Sequence, residues 1–411
     1  MSLEISDTNS QLSVISNQSE EIGVLIIGVK GAVATTLISA CTQAIDMPDS
    51  FPLPSESLSL ASSPEFPSIS RFKFGGWDIS ELSFHESLEE HNVLPASVRD
   101  QLSTYLDVTL TFPALSLDAR SSNRALIPKV GEPLRTMTER IEAHIQAFRL
   151  AVGVEQVILV DLSSTNRQVP LEPEHQDLAL FESKLDAPYD PQHCVFNEGM
   201  LYVYAGLKSG CPCINFTPTT TFDIPALINL AEQKGLPLCG KDGKTGQTLY
   251  KTALAPMFKA RALKVRGWYS ANILGNRDGI ALKDPERFQT KRESKEASLT
   301  EILGYDDFDH QVHIHYYRPR GDNKEAWDTI DFDGWFGTQM QMKINWLGSD
   351  SILAAPLVAD LIRWMSVYQR IKKSGLIAEL APYFKTPLGT TEQDLFKQLR
   401  QLEIVWSQVP K

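Results

Sequence analysis

The sequence is poor in cysteine, and this shortage excludes a fold held together by disulfides. Its 411 residues include five cysteines: Cys41, Cys194, Cys211, Cys213 and Cys239. They are too few and too scattered for a disulfide framework, so we expect a reducing, cytoplasmic location. Two of them form a C-P-C sequence rather than paired C-x-x-C motifs, which favours buried small apolar side chains over zinc ligands.

Positive charge and long apolar runs are also scarce. Lysine and arginine number 39 against 51 aspartates and glutamates, a net charge of −12. This balance disfavours non-specific binding to nucleic acid or to an anionic membrane. No apolar run has the length that a bilayer requires, and the polar, acidic start of the chain lacks the regions of a signal peptide. We expect a soluble protein without nucleic-acid or membrane partners, with residues 1–20 as a disordered tail.

Candidate metal ligands are likewise sparse. His310, His313 and His315 alternate as on a strand, and the last two share a face. Two histidines can bind a metal, but no acidic residue close in sequence completes the set. We therefore interpret them as half-exposed strand residues and predict no metal.

The stretch "LCGKDGKTGQT" at residues 238–248 contains the GKT of a phosphate-binding P-loop. That motif requires a glycine five residues before Gly243, where its backbone amide can approach a nucleotide phosphate. Leu238 occupies the position. The sequence therefore argues against a nucleoside triphosphatase, and the close spacing of polar residues here needs another explanation.

A dinucleotide-binding pattern opens the globular part of the chain. In "EIGVLIIGVKGAVATT" an apolar strand leads into a turn in which Gly28, Gly31 and Ala34 match G-x-x-G-x-x-A. Lys30 replaces the usual second glycine, and we interpret it as a possible partner of the cofactor pyrophosphate. The acidic residue that normally binds the ribose is displaced by a Ser/Pro-rich insertion, and Asp78 is the candidate.

Strands and helices alternate over residues 22–240, which predicts an α/β fold with a Rossmann-type, doubly wound parallel sheet. Residues 250–350 contain alternating, β-rich runs that indicate an open sheet with one face available for packing. We predict a dinucleotide-binding domain formed by residues 21–248 and 351–411. Residues 249–350 are then an inserted α+β catalytic and oligomerisation domain.

Polar clusters recur in a fixed order after residue 239, and they carry a resemblance. "GKDGKTGQT", "NILGNRDG", "FQTKRESK", "RGDNK" and "SDSILAAP" follow one another as in the myo-inositol-1-phosphate synthase family, and "FGGWDIS" fits the same pattern. The chain resembles that family from about residue 22 to about residue 390. The resemblance implies an isomerase that converts D-glucose 6-phosphate to a myo-inositol monophosphate, with NAD reduced and re-oxidised within one cycle.

The family's functional residues carry over to individual positions. The resemblance implies that the substrate is bound by Thr245, Gly246, Gln247, Thr248, Asn272, Leu274, Asn276, Lys295 and Lys324. It implies NAD contacts at Gly28, Gly31, Asp78, Thr165, Thr245, Asp278, Asp322 and Ser351. The catalytic residues that it implies are Lys291, Lys324, Lys385, Asp350 and Asp242.

The resemblance also implies roles, because each step of this reaction puts transient negative charge on an oxygen. We expect Lys385, alone or with Lys291, to handle the proton of the C5 hydroxyl. Lys324 with Lys291 would stabilise oxygen during cyclisation, and Asp350 would orient a lysine or a hydroxyl. Relatives assemble as homotetramers through the inserted sheet, so the same assembly is expected here.

The periphery of the site departs from the family pattern. Arg277 stands where many relatives have asparagine, Ile273 where they have histidine, and Ser349 where glutamate is common. Two alternatives therefore stay open: an NAD-dependent enzyme acting on a different sugar or polyol phosphate, and a sensor that binds NAD or sugar phosphate without turnover. The retained lysines count against a sensor, and release of NADH would separate net oxidation from cyclisation.

Overall fold

The structure is a computed structural model that describes residues 21–58, 66–102, 110–118, 121, 124–164, 167–275 and 299–408. The predicted tail, residues 1–20, lies outside these ranges. The strands are β1 (Ile22–Ile27), β2 (Phe72–Asp78), β3 (Leu110–Pro113), β4 (Val157–Asp161), β5 (Cys213–Asn215), β6 (Pro237–Gly240), β7 (Lys264–Leu274), β8 (Asp309–Tyr316), β9 (Asn323–Asp333), β10 (Gln339–Ser349) and β11 (Gly375–Leu376).

The α-helices are α1 (Ala32–Gln43), α2 (Pro54–Ser57), α3 (Phe84–His91), α4 (Ala96–Leu102), α5 (Arg135–Val152), α6 (Leu178–Asp186), α7 (Glu198–Lys208), α8 (Pro225–Lys234), α9 (Gln247–Ala260), α10 (Asp350–Arg370) and α11 (Leu395–Ser407). Short 3-10 helices lie at Pro48–Ser50, Ile69–Arg71, Pro173–His175, Arg318–Arg320, Trp335–Gly337 and Ala378–Tyr383.

A seven-stranded parallel sheet forms the centre of the larger part of the molecule, in the order β11-β6-β5-β4-β1-β2-β3. All six residues of β1 are buried, because helices cover both faces of the sheet. The strand order reverses between β1 and β4, which is where doubly wound folds bind their ligands. The predicted α/β, doubly wound architecture is confirmed.

A second sheet has the order β10-β9-β7-β8, with β7 and β8 parallel and the other pairs antiparallel. On one face, residues such as Trp268 and Ile330 are buried against α9 and the helical residues 299–303. On the other face, Tyr269 and Trp327 are exposed. This sheet has the open face that the alternating sequence predicts.

The two sheets use separate stretches of the chain. Strands β1–β6 and β11 build the parallel sheet, whereas β7–β10 build the second one. Helix α9 begins at Gln247 and packs on the second sheet, and α10 begins at Asp350 and packs on the first. The predicted divisions at residues 248/249 and 350/351 lie within the first turns of these two helices, and the assignment of domains stays a proposal.

Helix α10 is long and apolar enough to cross a bilayer, but 78% of its most apolar window is buried inside the protein. Its Trp364 and Tyr368 side chains lie in the core beside the parallel sheet. Packing in the core therefore accounts for the length and apolar composition of α10, because a helix that is apolar on most sides suits the interior of a large domain.

The cysteines are all free thiols, and four of them are buried while Cys194 is half-buried. Burial raises the pKa of the Cys211 thiol to about 12, which keeps it unreactive. Within the described ranges, no group of three or more His, Cys, Asp or Glu side chains is arranged to hold a metal ion.

Candidate active site

A pocket of about 600 Å³ opens at the carboxyl ends of the parallel strands, beside the strand-order reversal. The residues that line this pocket are far apart in the sequence. Predicted site residues that line it are Gly28, Gly31, Asp78, Asp242, Thr245, Asp322, Lys324, Asp350, Ser351 and Lys385. One cavity therefore gathers predicted cofactor contacts and predicted catalytic groups.

The glycine turn after β1 has the geometry of a dinucleotide cradle. Gly28 has a φ of +82°, and a Cβ there would lie 3.2 Å from the Leu162 carbonyl oxygen and from Ser163 Cα, so a side chain would be both strained and crowded. Gly31 is the N-cap of α1, whose first turn directs N–H groups at the pocket. These residues fit an NAD pyrophosphate.

Asp78 is the last residue of β2, the position from which an acidic side chain reaches a cofactor ribose. Its carboxylate accepts hydrogen bonds of 2.8 Å from the backbone N–H groups of Lys30 and Ser80. Two carboxylate oxygens have about four acceptor sites, so these bonds leave capacity for ribose hydroxyls. The Ser/Pro-rich insertion shifts this acid along the sequence without moving it from the end of β2.

Lys30 lines the pocket, and its ammonium is held by the loop that follows β2. Its ammonium donates to the carbonyl oxygen of Ser80, 3.0 Å away, and to that of Leu82. Burial is the main cause that lowers the pKa of Lys30. The side chain therefore fastens the loop after Asp78, and a contact between Lys30 and the pyrophosphate stays a prediction.

Lys385 and Asp242 form an ion pair in the pocket wall, with 2.8 Å between Nζ and Oδ1. The chain segments that carry them run side by side: the Lys385 N–H donates to the Asp242 carbonyl, and Lys241 and Thr386 exchange two backbone hydrogen bonds. Asp242 has a φ of +61°, a left-handed conformation that aspartate tolerates better than most residues.

A buried network fixes the segment that leads to Lys385. The Tyr383 hydroxyl donates to Asp360 Oδ2 at 2.6 Å and accepts from the Trp364 indole at 3.1 Å. Asp360, on α10, also accepts from the backbone and the hydroxyl of Ser55. Because these groups are buried and hydrogen-bonded, the segment has one defined position on the core.

Asp350 joins two further predicted site residues at the start of α10. Its Oδ1 accepts from the Thr245 hydroxyl at 2.7 Å, and its Oδ2 lies 3.4 Å from Lys324 Nζ. A carboxylate in the first turn of a helix is favoured by the helix dipole. Asp350 therefore links the turn after β6 to the lysine at the start of β9.

Asp322 differs from Asp350 in its partners, which are two serines at the start of α10. It accepts from the Ser349 hydroxyl, from the Ser351 hydroxyl and from the Ser351 backbone N–H, at 2.6, 2.7 and 3.0 Å. It thus holds the N-terminus of α10 in place. Both Asp322 and Ser351 line the pocket, so a role in cofactor contact stays a prediction.

Apart from Thr245 and Lys324, the predicted substrate-binding residues within the described ranges are buried and are not part of the pocket lining. Gln247 and Thr248 begin α9 and are 3% and 2% exposed, and Asn272 on β7 is fully buried. Asn272 Nδ2 donates to Gln247 Oε1 at 2.7 Å. Leu274 is paired with Lys324 across the second sheet, while Gly246 is the N-cap of α9.

Five predicted site residues lie outside the described ranges: Thr165, Asn276, Asp278, Lys291 and Lys295. Two residues near the site were given no role by the sequence argument. Lys244 is 2% exposed and donates from Nζ to Gln398 Oε1 at 2.8 Å. Asp328 is 2% exposed in the middle of β9. The sequence feature that could have identified it is an aspartate at a position where the alternation of β9 places buried side chains.

A doubly wound sheet, a glycine turn at a helix N-terminus and an acid at the end of β2 define an NAD-binding protein of the Rossmann class. A family model of NAD-binding domains, described as myo-inositol-1-phosphate synthase, matches residues 58–406. The chain belongs to the myo-inositol-1-phosphate synthase family. The match begins after the glycine turn, the part that departs from the family pattern.

Relatives in sequence support the assignment. The chain is 36% identical to inositol-3-phosphate synthase 1 of Bacteroides thetaiotaomicron over 407 residues, with 93% of this chain and 94% of the relative covered. It is 31% identical to inositol-3-phosphate synthase of Drosophila melanogaster and 28% identical to that of Saccharomyces cerevisiae. These matches cover 75% and 76% of this chain but 56% and 63% of the relatives' lengths.

Solved structures show the same fold. Inositol-3-phosphate synthase from Caenorhabditis elegans superposes with a TM-score of 0.82 at 21% identity, covering 94% of this chain and 85% of the other. A myo-inositol-1-phosphate synthase-related protein from Thermotoga maritima has a TM-score of 0.75 at 21% identity, covering 95% and 100%.

Proposed function

We propose that this protein catalyses the NAD-dependent conversion of D-glucose 6-phosphate to a myo-inositol monophosphate, using the groups gathered in the pocket. The observation that carries the proposal is the pair of lysine–carboxylate contacts, Lys385 with Asp242 and Lys324 with Asp350, in the same cavity as the glycine turn. Family membership and the relative that the chain matches over nearly its whole length support it.

The glycine turn and Asp78 would hold NAD, which when bound would supply the hydride-transfer chemistry needed at C5 of the sugar. Lys385 holds the proton of the C5 hydroxyl, for which a lysine must be able to cycle between amine and ammonium. Asp242, 2.8 Å from Nζ, fixes the direction of that ammonium. Two N–H groups remain on Nζ for oxygen atoms of the substrate.

Lys324 stabilises oxygen during ring closure, when negative charge develops on the former C1 carbonyl. Asp350 holds Lys324 on one side and the Thr245 hydroxyl on the other, so that both donors keep fixed positions in the pocket wall. The first turn of α9 offers N–H groups to the substrate phosphate, a dianion that suits a helix N-terminus. Asn276, Lys291 and Lys295 are proposed to complete this site.

Phosphorus NMR tests the reaction. NAD-loaded wild-type protein is expected to convert glucose 6-phosphate to an inositol-phosphate resonance without accumulating NADH. Lys324→Ala removes the ammonium that stabilises the closing oxygen, so the rate is expected to fall about 10³-fold. Lys264→Ala is the matched control: this lysine, also on the second sheet, forms an exposed ion pair with Asp307.

Three results would contradict the proposal. Stoichiometric NADH would indicate net oxidation of the sugar phosphate. An unchanged spectrum in verified, NAD-loaded protein would exclude this substrate and favour another sugar phosphate, or a sensor. An equal loss of activity in Lys264→Ala would show that the loss in Lys324→Ala is not specific to the pocket.

We further propose a cytoplasmic homotetramer. Free thiols support a reducing compartment. The open face of the second sheet supports assembly, because Tyr269 is 47% exposed, Trp327 39% and Leu347 63%. Contiguous aromatic and aliphatic side chains on a sheet are typical of subunit interfaces.

Trp327→Glu is expected to convert the tetramer to smaller species, because it places a charge in the centre of that face. Light scattering coupled to size-exclusion chromatography measures the mass directly. Leu150→Glu, at a helix position that is 85% exposed on the parallel-sheet side of the molecule, is the control and should leave the mass unchanged. A tetramer that survives Trp327→Glu would move the interface elsewhere.

A further inference from the structure

A buried carboxylate lies beneath the predicted phosphate turn, and no step of the proposed reaction uses it. Asp328 sits in the middle of β9 and is 2% exposed. Its Oδ1 accepts from Gln247 Nε2 and its Oδ2 accepts from Trp268 Nε1, both at 2.8 Å. Gln247 begins α9, so the carboxylate connects the second sheet to the turn at residues 245–248.

Asp328 determines which end of the Gln247 amide faces which neighbour. An ionised carboxylate only accepts, and the Trp268 indole only donates. The NH₂ group of Gln247 must therefore face Asp328, and its oxygen must face Asn272. Asn272 Nδ2 donates to that oxygen at 2.7 Å. The carboxylate of Asp328 thus fixes the orientation of two consecutive amides.

The chain of bonds leaves an acceptor at its far end. Asn272 is fully buried, and its Oδ1 has no hydrogen-bond partner among the described residues. An unpaired buried oxygen is costly unless a ligand or another group supplies a donor. The phosphate turn, through Gln247, is its immediate neighbour, so a sugar hydroxyl is the donor that the proposed substrate would bring.

We propose that Asp328 is a positioning residue of the sugar-phosphate site, which orients Gln247 and Asn272 so that Asn272 presents an acceptor oxygen to a substrate hydroxyl. The inference rests on the proposed function, and it assigns the side chain of Gln247 to this chain of bonds. The phosphate is then held by the backbone N–H groups of the turn rather than by the Gln247 amide.

Asp328→Asn tests the proposal with nearly unchanged shape. The Trp268 indole still requires an acceptor, so the introduced amide would give it the oxygen and turn its NH₂ group towards Gln247. Gln247 then flips, and Asn272 flips after it, so that an NH₂ group replaces the free oxygen. Affinity for glucose 6-phosphate, measured by calorimetry on NAD-loaded protein, is expected to fall about tenfold or more.

A double variant reverses the flip. With Gln247→Glu added to Asp328→Asn, the introduced carboxylate accepts from the amide groups on both sides of it, and Asn272 again presents its oxygen. Affinity is expected to return to within about threefold of the wild type. If the Gln247 side chain itself bound the phosphate, the double variant would be weaker than Asp328→Asn, which would overturn the proposal.

Two readouts separate positioning from simple structural support. Asp328→Asn is expected to raise KM about tenfold and change kcat and NAD affinity less than about threefold. Asp307→Asn, at an exposed surface position, is the matched control and should change none of these. Parallel losses in KM, kcat and NAD affinity would overturn the proposal.

The outcome also separates this inference from the proposed function. If the wild type binds glucose 6-phosphate without converting it, the proposed reaction fails while the affinity order of the three proteins still decides the role of Asp328. If the wild type converts the sugar and Asp328→Asn binds it equally well, the reaction stands and the positioning role is overturned. If the wild type does not bind the sugar, both fail.

Discussion

Replacing Lys385 with methionine is expected to lower kcat about 10³-fold, the size of a lost acid–base contribution. Methionine retains most of the volume and cannot carry a proton. Asp242 would lose its partner at 2.8 Å and would no longer have an ammonium to orient in the pocket. NAD affinity should change far less, because the predicted cofactor contacts are the glycine turn and Asp78 rather than Lys385. Product formation followed by phosphorus NMR, with NAD binding by calorimetry, measures both quantities.

Lys385→Arg distinguishes proton transfer from charge stabilisation. Arginine stays protonated throughout the range in which proteins are stable, so it can replace a fixed positive charge but not a base. If Lys385 transfers a proton, the arginine variant should be as inactive as the methionine variant. Activity of Lys385→Arg near that of the wild type would reduce Lys385 to an electrostatic role.

Lys241→Met is the control for the effect of removing a largely buried lysine charge. Lys241 Nζ lies 2.7 Å from Asp223 Oδ2, and the two side chains are 16% and 15% exposed. The Lys385–Asp242 pair has nearly the same burial, 15% and 11%. Both substitutions should destabilise the fold to a similar degree, whereas only that of Lys385 should abolish turnover. Equal loss of turnover would point to folding rather than chemistry.

The fold was predictable because its signals are local. The buried run of β1 and the alternation in β7 and β9 come directly from which faces of each sheet are covered. Family resemblance supplied a set of predicted site residues, ten of which line one pocket, and their roles stay predictions. The pairings of these residues were not predictable, since Asp242 and Lys385 are separated by 143 positions and meet only when two segments run side by side.

The partners of Lys30 could not be read from the sequence. A lysine in a phosphate loop suggests a phosphate contact, but the direction of a long side chain depends on which acceptors fold next to it. The carbonyl oxygens of Ser80 and Leu82 come from a loop that follows an insertion. No local pattern encodes that proximity. Asp328 was given no role by the sequence argument, although it lies at a buried position of an alternating strand.

Lys244→Met is expected to stabilise the protein below pH 7, which is the reverse of what the loss of a hydrogen-bonded lysine suggests. Burial lowers the pKa of Lys244 to about 7. Its ammonium has one partner in the described part of the chain, the Gln398 side-chain oxygen on α11. A lysine in an unfolded chain has a pKa near 10.4, so the folded state disfavours the charged form.

The sign of the pH dependence follows from proton counts. Between about pH 7 and about pH 10 the unfolded chain binds a proton at position 244 that the folded chain does not, so stability rises with pH in this window. Below pH 7 the folded lysine is also protonated, and the full cost is present. At 1.36 kcal/mol per pKa unit, the cost is roughly 5 kcal/mol at low pH and disappears above the unfolded pKa.

The methionine variant removes that cost but leaves the Gln398 oxygen without its donor, a loss of about 1–3 kcal/mol. The net gain at pH 6 is therefore about 2–4 kcal/mol, and it should shrink steadily as the pH rises to 10. Thermal unfolding midpoints of the two proteins at pH 6, 8 and 10 measure the trend. Lys234→Met, at an exposed position at the end of α8, should show no such trend. A lower midpoint for Lys244→Met at pH 6 would mean that the contact of the charged lysine with α11 stabilises the protein by more than the burial of the charge costs.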